Sequence, residues 1–191
     1  MDERRAIHLC IAHRDPVGFE YLVRKYQREA YMHAMALVGN PDDAAEACQE
    51  SFASAFASLP RLSELTAFYP WFYRVLRNRC LNMLSRRRTA TAYAKRSSGE
   101  EDHAAGPESM LDQQQEQAEV WRALASLKLE FREILALKYL RGYDYDALAA
   151  LLEIPRGTVM SRLYHARKAF HAAYLKESKV EAPTKGELEH G

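Results

Sequence analysis

The sequence has little that would support a membrane, extracellular or β-sheet protein. Its 191 residues include no apolar run long enough to cross a bilayer, and we expect no secretory leader. The three cysteines, Cys10, Cys48 and Cys80, are scattered and odd in number, which indicates free thiols in a reducing cytoplasm rather than a disulfide framework. Glycine is sparse, with 8 residues, and alternating β-branched runs are absent. Because Ala, Leu, Arg and Glu dominate instead, we predict an all-α, cytoplasmic protein.

Patterns typical of catalysis and metal binding are also missing. The sequence contains no phosphate-binding loop, no nucleophile-and-base triad, no paired carboxylates and no zinc-ligand spacing. His8, Cys10 and His13 come nearest to a ligand set, but positions 8 and 10 of a helix point to nearly opposite sides. We therefore expect no enzymatic activity, no metal and no cofactor.

Charge is unevenly distributed, although the net charge is only +1. Residues 1–96 carry 15 basic and 10 acidic side chains, residues 97–118 carry six acidic and no basic ones, and residues 119–191 carry 12 basic and 10 acidic ones. The acidic segment begins with a polar stretch rich in Ser, Gly and Glu, which is typical of a flexible linker. We predict two small helical domains, 1–96 and 113–176, joined by a flexible acidic linker, 97–112, and followed by a disordered tail, 177–191.

Helix-end signals divide the first domain into short helices. Asp15-Pro16 and Asn40-Pro41 each combine an N-cap residue with a first-turn proline, and Pro60 ends the helix that Pro41 begins. The apolar pattern of that helix predicts a core stripe made of Ala45, Cys48, Phe52, Ala55 or Phe56, and Leu59.

The last part of the first domain combines aromatic and basic residues. Residues 74–96 contain eight basic and no acidic side chains, and the run F-Y-P-W-F-Y precedes them. Aromatic rings can stack on unpaired bases and cations can bind phosphates, so the pattern is typical of contact with single-stranded nucleic acid. We expect Phe68 and Phe72 to lie mainly in the core, whereas Tyr69 and Tyr73 fit either the core or a base-stacking role.

The second domain is organised around one basic helix that begins after Pro155. Five basic and no acidic residues occur between Arg156 and Lys176. A short helix, Asp144–Leu152, and a three-residue turn precede it. Short helix, tight turn and longer basic helix are the helix-turn-helix pattern, whose second helix enters the major groove of DNA. The predicted apolar stripe of the basic helix is Val159, Leu163, Ala166, Phe170 and Ala173.

Three separate blocks of the sequence match motifs that occur together in one known family. Asp43–Phe52 reads D-A-A-E-A-C-Q-E-S-F, Phe68–Asn82 reads F-Y-P-W-F-Y-R-V-L-R-N-R-C-L-N, and Gly157–Arg167 reads G-T-V-M-S-R-L-Y-H-A-R. In content, order and spacing they resemble the bacterial RNA polymerase sigma factors of the extracytoplasmic-function class. The resemblance implies a factor that binds core RNA polymerase and directs promoter-specific transcription initiation by recognising −10 and −35 elements.

The resemblance also assigns roles to residues of both domains. The first domain corresponds to sigma region 2, which binds polymerase and opens the −10 element, and the second to sigma region 4, which reads the −35 element. The polymerase-binding residues it implies are Asp43, Glu46, Gln49, Glu50 and Ser54. The −10 residues are Ser63, Arg74, Arg77, Asn78 and Asn82, with the loop Arg61–Thr66 around a flipped base. The −35 residues are Arg156, Thr158, Ser161, Arg162, His165 and Lys168. An anti-sigma factor is implied as a further partner, and we expect no membrane contact of the chain's own.

The sequence departs from the family pattern at Asn82, Lys128, Ala147, Glu153, Met160 and His165. Glu153 stands where the turn usually has Gly, and a positive φ there costs a non-glycine residue on the order of 1 kcal/mol, so we expect a differently built turn. Met160 and His165 replace basic residues, which predicts an atypical −35 sequence.

Two other functions are open at this point. One is a helix-turn-helix regulator that acts on duplex DNA without polymerase, and the other is a sigma mimic that binds an anti-sigma factor without DNA. The aromatic and basic run argues against the first, because a duplex-only binder does not need it. Arg162 and Arg167 argue against the second, whereas the departures at Ala147, Glu153, Met160 and His165 favour it.

Overall fold

The computed structural model describes residues 1–62, 65–97 and 113–178, which form eight α-helices and a 3-10 turn, Leu59–Arg61. The helices are α1 (Glu3–His13), α2 (Pro16–Val38), α3 (Pro41–Ser58), α4 (Phe68–Ser97), α5 (Gln113–Ala125), α6 (Leu129–Arg141), α7 (Tyr145–Leu152) and α8 (Arg156–Ser178). No β-strand occurs in these ranges, and the predicted all-α class is confirmed. None of their helices has both the length and the apolar character needed to span a membrane. Ser63 and nearly all of the predicted linker and tail lie outside the described residues.

The short connection between α2 and α3 follows the capping signals of the sequence. Gly39 ends α2 in the left-handed region, with φ 74°, where glycine avoids the strain of a side chain. Asn40 then begins α3, since its side-chain oxygen accepts hydrogen bonds from the backbone N–H groups of Asp42 and Asp43 at 2.9 and 3.1 Å. Gly39 therefore ends α2 and Asn40 begins α3, so the connection between the two helices needs only these two residues.

Helices α1 to α4 form the N-terminal unit, in which α2 packs against the other three. The approach of α1 to α2 depends on Gly18, because a Cβ atom at this position would lie 2.5 Å from the carbonyl oxygen of Ala6. Any larger residue at position 18 would push the two helices apart.

Aromatic side chains at the start of α4 form the centre of this unit. Phe68, Tyr69, Phe72 and Tyr73 are each at most 1% exposed, and the Phe72 ring stacks on that of Phe52 with centroids 4.3 Å apart. A ring enclosed in this way cannot stack on a base, so the base-stacking interpretation is wrong for these four residues. The spacing of these residues in the sequence fits core packing and base stacking equally well, and only their burial in the structure decides between the two roles.

The buried row of α3 differs by one position from the predicted one. The predicted Cys48 and Leu59 are buried, and of the alternatives Ala55 and Phe56 the buried residue is Ala55, since Phe56 is 46% exposed. Ala45 is exposed and is wrong as a core residue. The buried positions that the prediction missed carry small side chains, Ala44, Ala47 and Ser51, which allow α3 to pack closely on α2 and α4.

Helices α5 to α8 form the C-terminal unit, in which α8 packs on α5, α6 and α7. Its most deeply buried large side chains, each at most 1% exposed, are Ile134, Leu137, Leu148, Val159 and Leu163. Helices α7 and α8 are the predicted helix-turn-helix.

The two units share an apolar core, which the prediction of two flexibly linked domains did not include. Helix α6 lies against α2, and α5 also contacts α2 near its end. Ala125 of α5 is within 3.5 Å of the position that a Cβ atom would occupy at Gly39. The C-terminal unit therefore covers part of the N-terminal unit.

Candidate nucleic-acid and partner interfaces

The turn that positions α8 is built on Glu153. Asp144 caps α7 by accepting a hydrogen bond from the backbone N–H of Ala147 at 2.7 Å. Glu153 then adopts φ 55°, in the left-handed region, and α8 starts at Arg156. The expectation of a differently built turn is wrong. The turn keeps its left-handed residue without glycine, at a cost on the order of 1 kcal/mol.

Helix α8 has one buried and one exposed face. Val159, Leu163 and Ala166 are at most 1% exposed and hold the helix on its unit. The exposed residues near the N-terminal half of the opposite face are Gly157, Met160, Ser161, Tyr164, His165 and Lys168. This row, hereafter the outward row of α8, offers a cation, two hydrogen-bonding side chains and two large apolar ones to a ligand.

Most of the predicted −35 residues lie on or near this row. Four of them are exposed: Arg156, Ser161, His165 and Lys168. Thr158 and Arg162 are half-buried at its edge, and the Arg162 guanidinium lies 3.6 Å from the Glu130 carboxylate of α6. Arg162 is therefore held against its own unit more closely than the motif alone indicates.

Two exposed apolar residues of α8 were not among the predicted contacts. Met160 is 53% and Tyr164 59% exposed, and the four-residue spacing between them places them on one side. The signal was present in the sequence, because both positions lie about 100° around the helix from Val159 and Leu163 respectively, outside the buried stripe.

Helix α4 carries the predicted −10 residues as a second polar row. Arg74, Asn78 and Asn82 follow one another at four-residue intervals and are exposed, with Arg77 half-buried beside them. Ser63 lies outside the described residues. The row is continuous along three turns of the helix, which suits an extended backbone of nucleic acid.

Carboxylates of the C-terminal unit hold both arginines of this row. Glu133 of α6 is 3% exposed, accepts a hydrogen bond from the Tyr73 hydroxyl at 3.0 Å, and pairs with both Nε and Nη2 of Arg77, the latter at 3.3 Å. The Arg74 guanidinium lies 3.5 Å from the carboxylate of Glu153 in the helix-turn-helix turn. The predicted −10 row is thus partly neutralised inside this structure.

The five predicted polymerase contacts on α3 divide into two groups. Glu46, Gln49 and Ser54 are exposed. Asp43 is buried and accepts a hydrogen bond from Arg87 of α4 at 2.8 Å, and the half-buried Glu50 is paired with Arg79 of α4. Those two carboxylates fix α3 on α4, and the other three residues are free to contact a partner.

A third ionic contact between the units joins α6 to α2. Nε of Arg141 in α6 is 2.9 Å from Oε1 of Glu29 in α2, and the guanidinium carbon lies 5.3 Å and 5.2 Å from the ring centroids of Tyr26 and Tyr69. Burial raises the pKa of Glu29 to about 7, against the opposing effect of Arg141.

A buried histidine lies beneath the same contact. His33 is 1% exposed and its Nδ1 is 2.5 Å from the Tyr69 hydroxyl. Burial lowers the pKa of His33 to about 4, so this ring is neutral near pH 7.

The three cysteines are all buried. Burial raises the pKa of the Cys48 and Cys80 thiols to about 12, and that of Cys10 to about 11. Thiols with so little thiolate near pH 7 react slowly, which disfavours a redox-sensing role.

Sequence comparisons identify both units. Residues 22–90 match the family Sigma-70 region 2, and residues 117–170 match the family Sigma-70, region 4. The RNA polymerase sigma-H factor of Pseudomonas aeruginosa is 30% identical over 168 residues, which cover 83% of this chain and 87% of that protein. The ECF RNA polymerase sigma-E factor of Escherichia coli is 30% identical over 164 residues, covering 81% and 85% respectively.

Two solved structures share the fold. The sigma factor RpoE of Bartonella quintana, in complex with the anti-sigma factor NepR, gives a TM-score of 0.65 at 23% identity over 83% of this chain and 96% of that one. CnrH, in complex with the cytosolic domain of CnrY, gives a TM-score of 0.63 at 20% identity over 93% and 99%. The two matched sequence regions fall within α2–α4 and α5–α8, the units that carry the two polar rows, and the chain belongs to the extracytoplasmic-function sigma factors.

Proposed function

We propose that this sigma factor recognises its promoter through two separate helices, α8 at the −35 element and α4 at the −10 element, while α3 holds it on core RNA polymerase. The observation that carries this proposal is the presence of two polar rows on two units that match sigma regions 2 and 4. Catalysis belongs to the polymerase, so the sigma factor needs no activity of its own, and it acts in the cytoplasm, where its polymerase is.

At the −35 element the outward row of α8 would lie in the major groove. The groove is about 12 Å wide and admits one α-helix, whose exposed side chains then reach the base edges. Ser161 and His165 supply hydrogen-bonding groups, and Lys168 supplies a cation for phosphate. Met160 and Tyr164 add apolar surface, and Met160 stands where family members commonly have a basic residue, which supports an atypical −35 sequence.

At the −10 element the row of α4 would bind the strand that is not copied. Arg74 and Arg77 suit phosphates, and Asn78 and Asn82 can pair with base edges. The four aromatic residues at the start of α4 support this row from within, because they anchor the helix in the core rather than touching bases.

The polymerase surface we propose is the exposed side of α3, with Glu46, Gln49 and Ser54. Asp43 and Glu50 contribute to polymerase binding indirectly, because their ion pairs with Arg87 and Arg79 set the orientation of α3 on α4. Attachment to polymerase brings both DNA-binding units to one promoter, so the second contact becomes intramolecular and gains from effective concentration.

We also infer an anti-sigma factor as a partner of this chain. Support comes from the two solved neighbours, since RpoE was determined in complex with the anti-sigma factor NepR and CnrH in complex with the cytosolic domain of CnrY. Such a partner would compete with polymerase for the exposed side of α3.

The test is transcription with purified core polymerase on a library of DNA fragments. The full chain should form a holoenzyme in a pull-down and start transcripts at sites that share two spaced elements. Lack of any holoenzyme would contradict the proposal. Tight binding of a duplex by the chain alone would support the polymerase-independent regulator instead.

A variant of the outward row separates this function from the DNA-free mimic. Ser161→Ala with Lys168→Ala should reduce promoter-dependent transcription while holoenzyme formation continues, because neither residue belongs to the proposed polymerase surface on α3. Unchanged transcription by this variant would favour the mimic. Ala172→Ser, on an exposed position farther along α8, is the matched control.

A further inference from the structure

The N-terminal half of α8 has few free side-chain donors at the place where a recognition helix contacts base edges. The Ser161 hydroxyl donates a hydrogen bond to a backbone carbonyl oxygen of the preceding turn at 3.2 Å. The Arg156 guanidinium lies 3.4 Å from the carboxylate of Asp146 in α7, and Arg162 faces Glu130 of α6. Three of the predicted −35 residues thus already have partners within their own unit.

Two large apolar side chains project from the same part of the helix. Met160 is 53% and Tyr164 59% exposed. A Cβ atom at Gly157, one turn before Met160, would meet nothing within 4 Å, so this end of the pair is open to a ligand. With a rise of about 1.5 Å per residue, the two side chains are separated by about 6 Å along the helix, which corresponds to between one and two base steps of about 3.4 Å. The pair therefore has the spacing to contact neighbouring base pairs.

The major groove of DNA presents one apolar group to such side chains. Thymine carries a C5-methyl group there, whereas the other groups on the base edges are hydrogen-bond donors and acceptors. Cytosine has a hydrogen at C5, and 5-methylcytosine carries a methyl group at the same place. Residues 156–176 contain five basic and no acidic side chains, so the surface around the pair suits a polyanion rather than an apolar protein.

We propose that Met160 and Tyr164 read pyrimidine C5-methyl groups in the −35 element, so that thymine is required where they contact DNA and 5-methylcytosine can replace it. The inference rests on the proposed −35 role of α8 and adds the chemical group that this helix recognises. It makes promoter strength depend on DNA methylation, because a cytosine at such a position gains the missing contact when its C5 is methylated. A basic residue at position 160 would instead pair with guanine O6 and N7.

The first test removes single methyl groups from the DNA. Holoenzyme made from the full-length chain and core polymerase selects promoters from a fragment library, and each thymine of the selected −35 element is then replaced in turn by deoxyuridine. Deoxyuridine keeps the hydrogen-bonding edges of thymine and lacks only the C5-methyl group. We expect one or two positions at which binding weakens by about 4-fold, the effect of one buried methyl group.

The converse replacement uses cytosine at the same positions. There, 5-methylcytosine should bind more tightly than cytosine by a similar factor of about 4. An element without thymine, no loss with deoxyuridine at any position, or equal binding of cytosine and 5-methylcytosine would overturn the proposal.

Protein variants assign the effect to the two side chains. Met160→Ala and Tyr164→Ala should each abolish the difference between thymine and deoxyuridine at one position, and both residues are exposed, so the fold tolerates the change. Leu175→Ala is the matched control, because it removes an apolar side chain that is 43% exposed on the same helix but outside the outward row. The control should keep the wild-type difference. A wild-type difference in either of the other two variants would overturn the proposal.

A third variant tests for a change of specificity rather than a loss. Met160→Arg should replace the thymine preference at one position with a guanine preference when the library selection is repeated. Selection of the same −35 element by Met160→Arg and by wild type would contradict a role of Met160 in reading bases.

The outcomes also separate this inference from the proposed function. If the chain forms no holoenzyme, the proposed function fails, and the same replacements are made in the duplex that the full-length chain selects alone. If the holoenzyme starts transcription at sites with two spaced elements but tolerates deoxyuridine throughout, only the reading of methyl groups fails. If the chain selects no duplex with or without polymerase, both fail.

Discussion

The two proposed DNA-binding helices differ in what surrounds their polar rows. The outward row of α8 is exposed, with Met160 at 53% and Tyr164 at 59%. The row of α4 has its arginines paired with carboxylates of the other unit, one of them 3% exposed. Under the proposed function, the outward row of α8 can meet DNA without losing an internal contact, whereas Arg77 has to leave the carboxylate of Glu133 first.

The largest expected effect concerns aromatic residues on the two helices. Phe72→Ala in α4 removes a fully buried ring and should lower the free energy of unfolding by about 3–5 kcal/mol in urea denaturation. Tyr164→Ala in α8 should change it by no more than about 0.5 kcal/mol, because that ring is exposed. A loss above about 1 kcal/mol for Tyr164→Ala would show that the outward row belongs to the fold.

The stability of the core beneath the polar row of α4 should fall in acid. The pKa of His33 is depressed to about 4, so the stability it contributes is present above its unfolded value near 6.5 and is lost as pH falls through 4. We expect the free energy of unfolding to drop by on the order of 2–3 kcal/mol across that window.

The check on this prediction is a pair of histidine variants followed by urea denaturation at several pH values. His33→Gln should lower stability at pH 7 and flatten the profile between pH 6.5 and 4. His171→Gln, which changes an exposed side chain of α8, is the control. If the free energy of unfolding of His33→Gln falls with pH as steeply as that of the wild type, carboxylates alone cause the loss of stability in acid.

Salt dependence tests whether the outward row contacts phosphate. Lys168→Ala should weaken holoenzyme binding to duplex −35 DNA by a similar factor on all sequences and reduce the slope of log affinity against log salt by about 1. Fluorescence anisotropy at several potassium chloride concentrations measures this slope. An unchanged slope would place Lys168 off the DNA.

The smallest effect is expected at the exposed contact between the units. Arg74 and Glu153 have side chains 56% and 76% exposed, and such pairs contribute roughly 0–1 kcal/mol. Glu153→Gln should therefore change the radius of gyration far less than Glu133→Gln does. Equal changes in solution scattering would show that the contact between the units depends on charge number rather than on burial.

Features specified by neighbouring residues could be predicted from the sequence. The caps at Asp15 and Asn40, the helix-turn-helix and the exposed side of α8 all follow from signals within a few residues. The left-handed conformation of Glu153 could not be predicted, because the ends of α7 and α8 on either side of the turn impose a backbone conformation that glutamate disfavours.

Features specified by distant residues could not be predicted. The partners of Glu133 lie 60 and 56 positions away, at Tyr73 and Arg77, and no local pattern joins them. The same holds for Asp43, whose partner Arg87 is 44 positions away. When the partner of a charged residue is unknown, the sequence pattern predicts that the residue is exposed to solvent. The core shared by the two units and the contacts of Glu133 could therefore be found only in the structure.

The outward row of α8 has a consequence for how this protein can evolve. Met160, Ser161 and Tyr164 are exposed, so single substitutions there cost the fold almost nothing. Under the proposed function, a duplicated copy can therefore acquire a new −35 preference by one change at a time and stay folded throughout. Arg77 is paired with Glu133, which is 3% exposed, so substitutions at either position cost the fold more, and the set of −10 elements should diversify more slowly than the set of −35 elements.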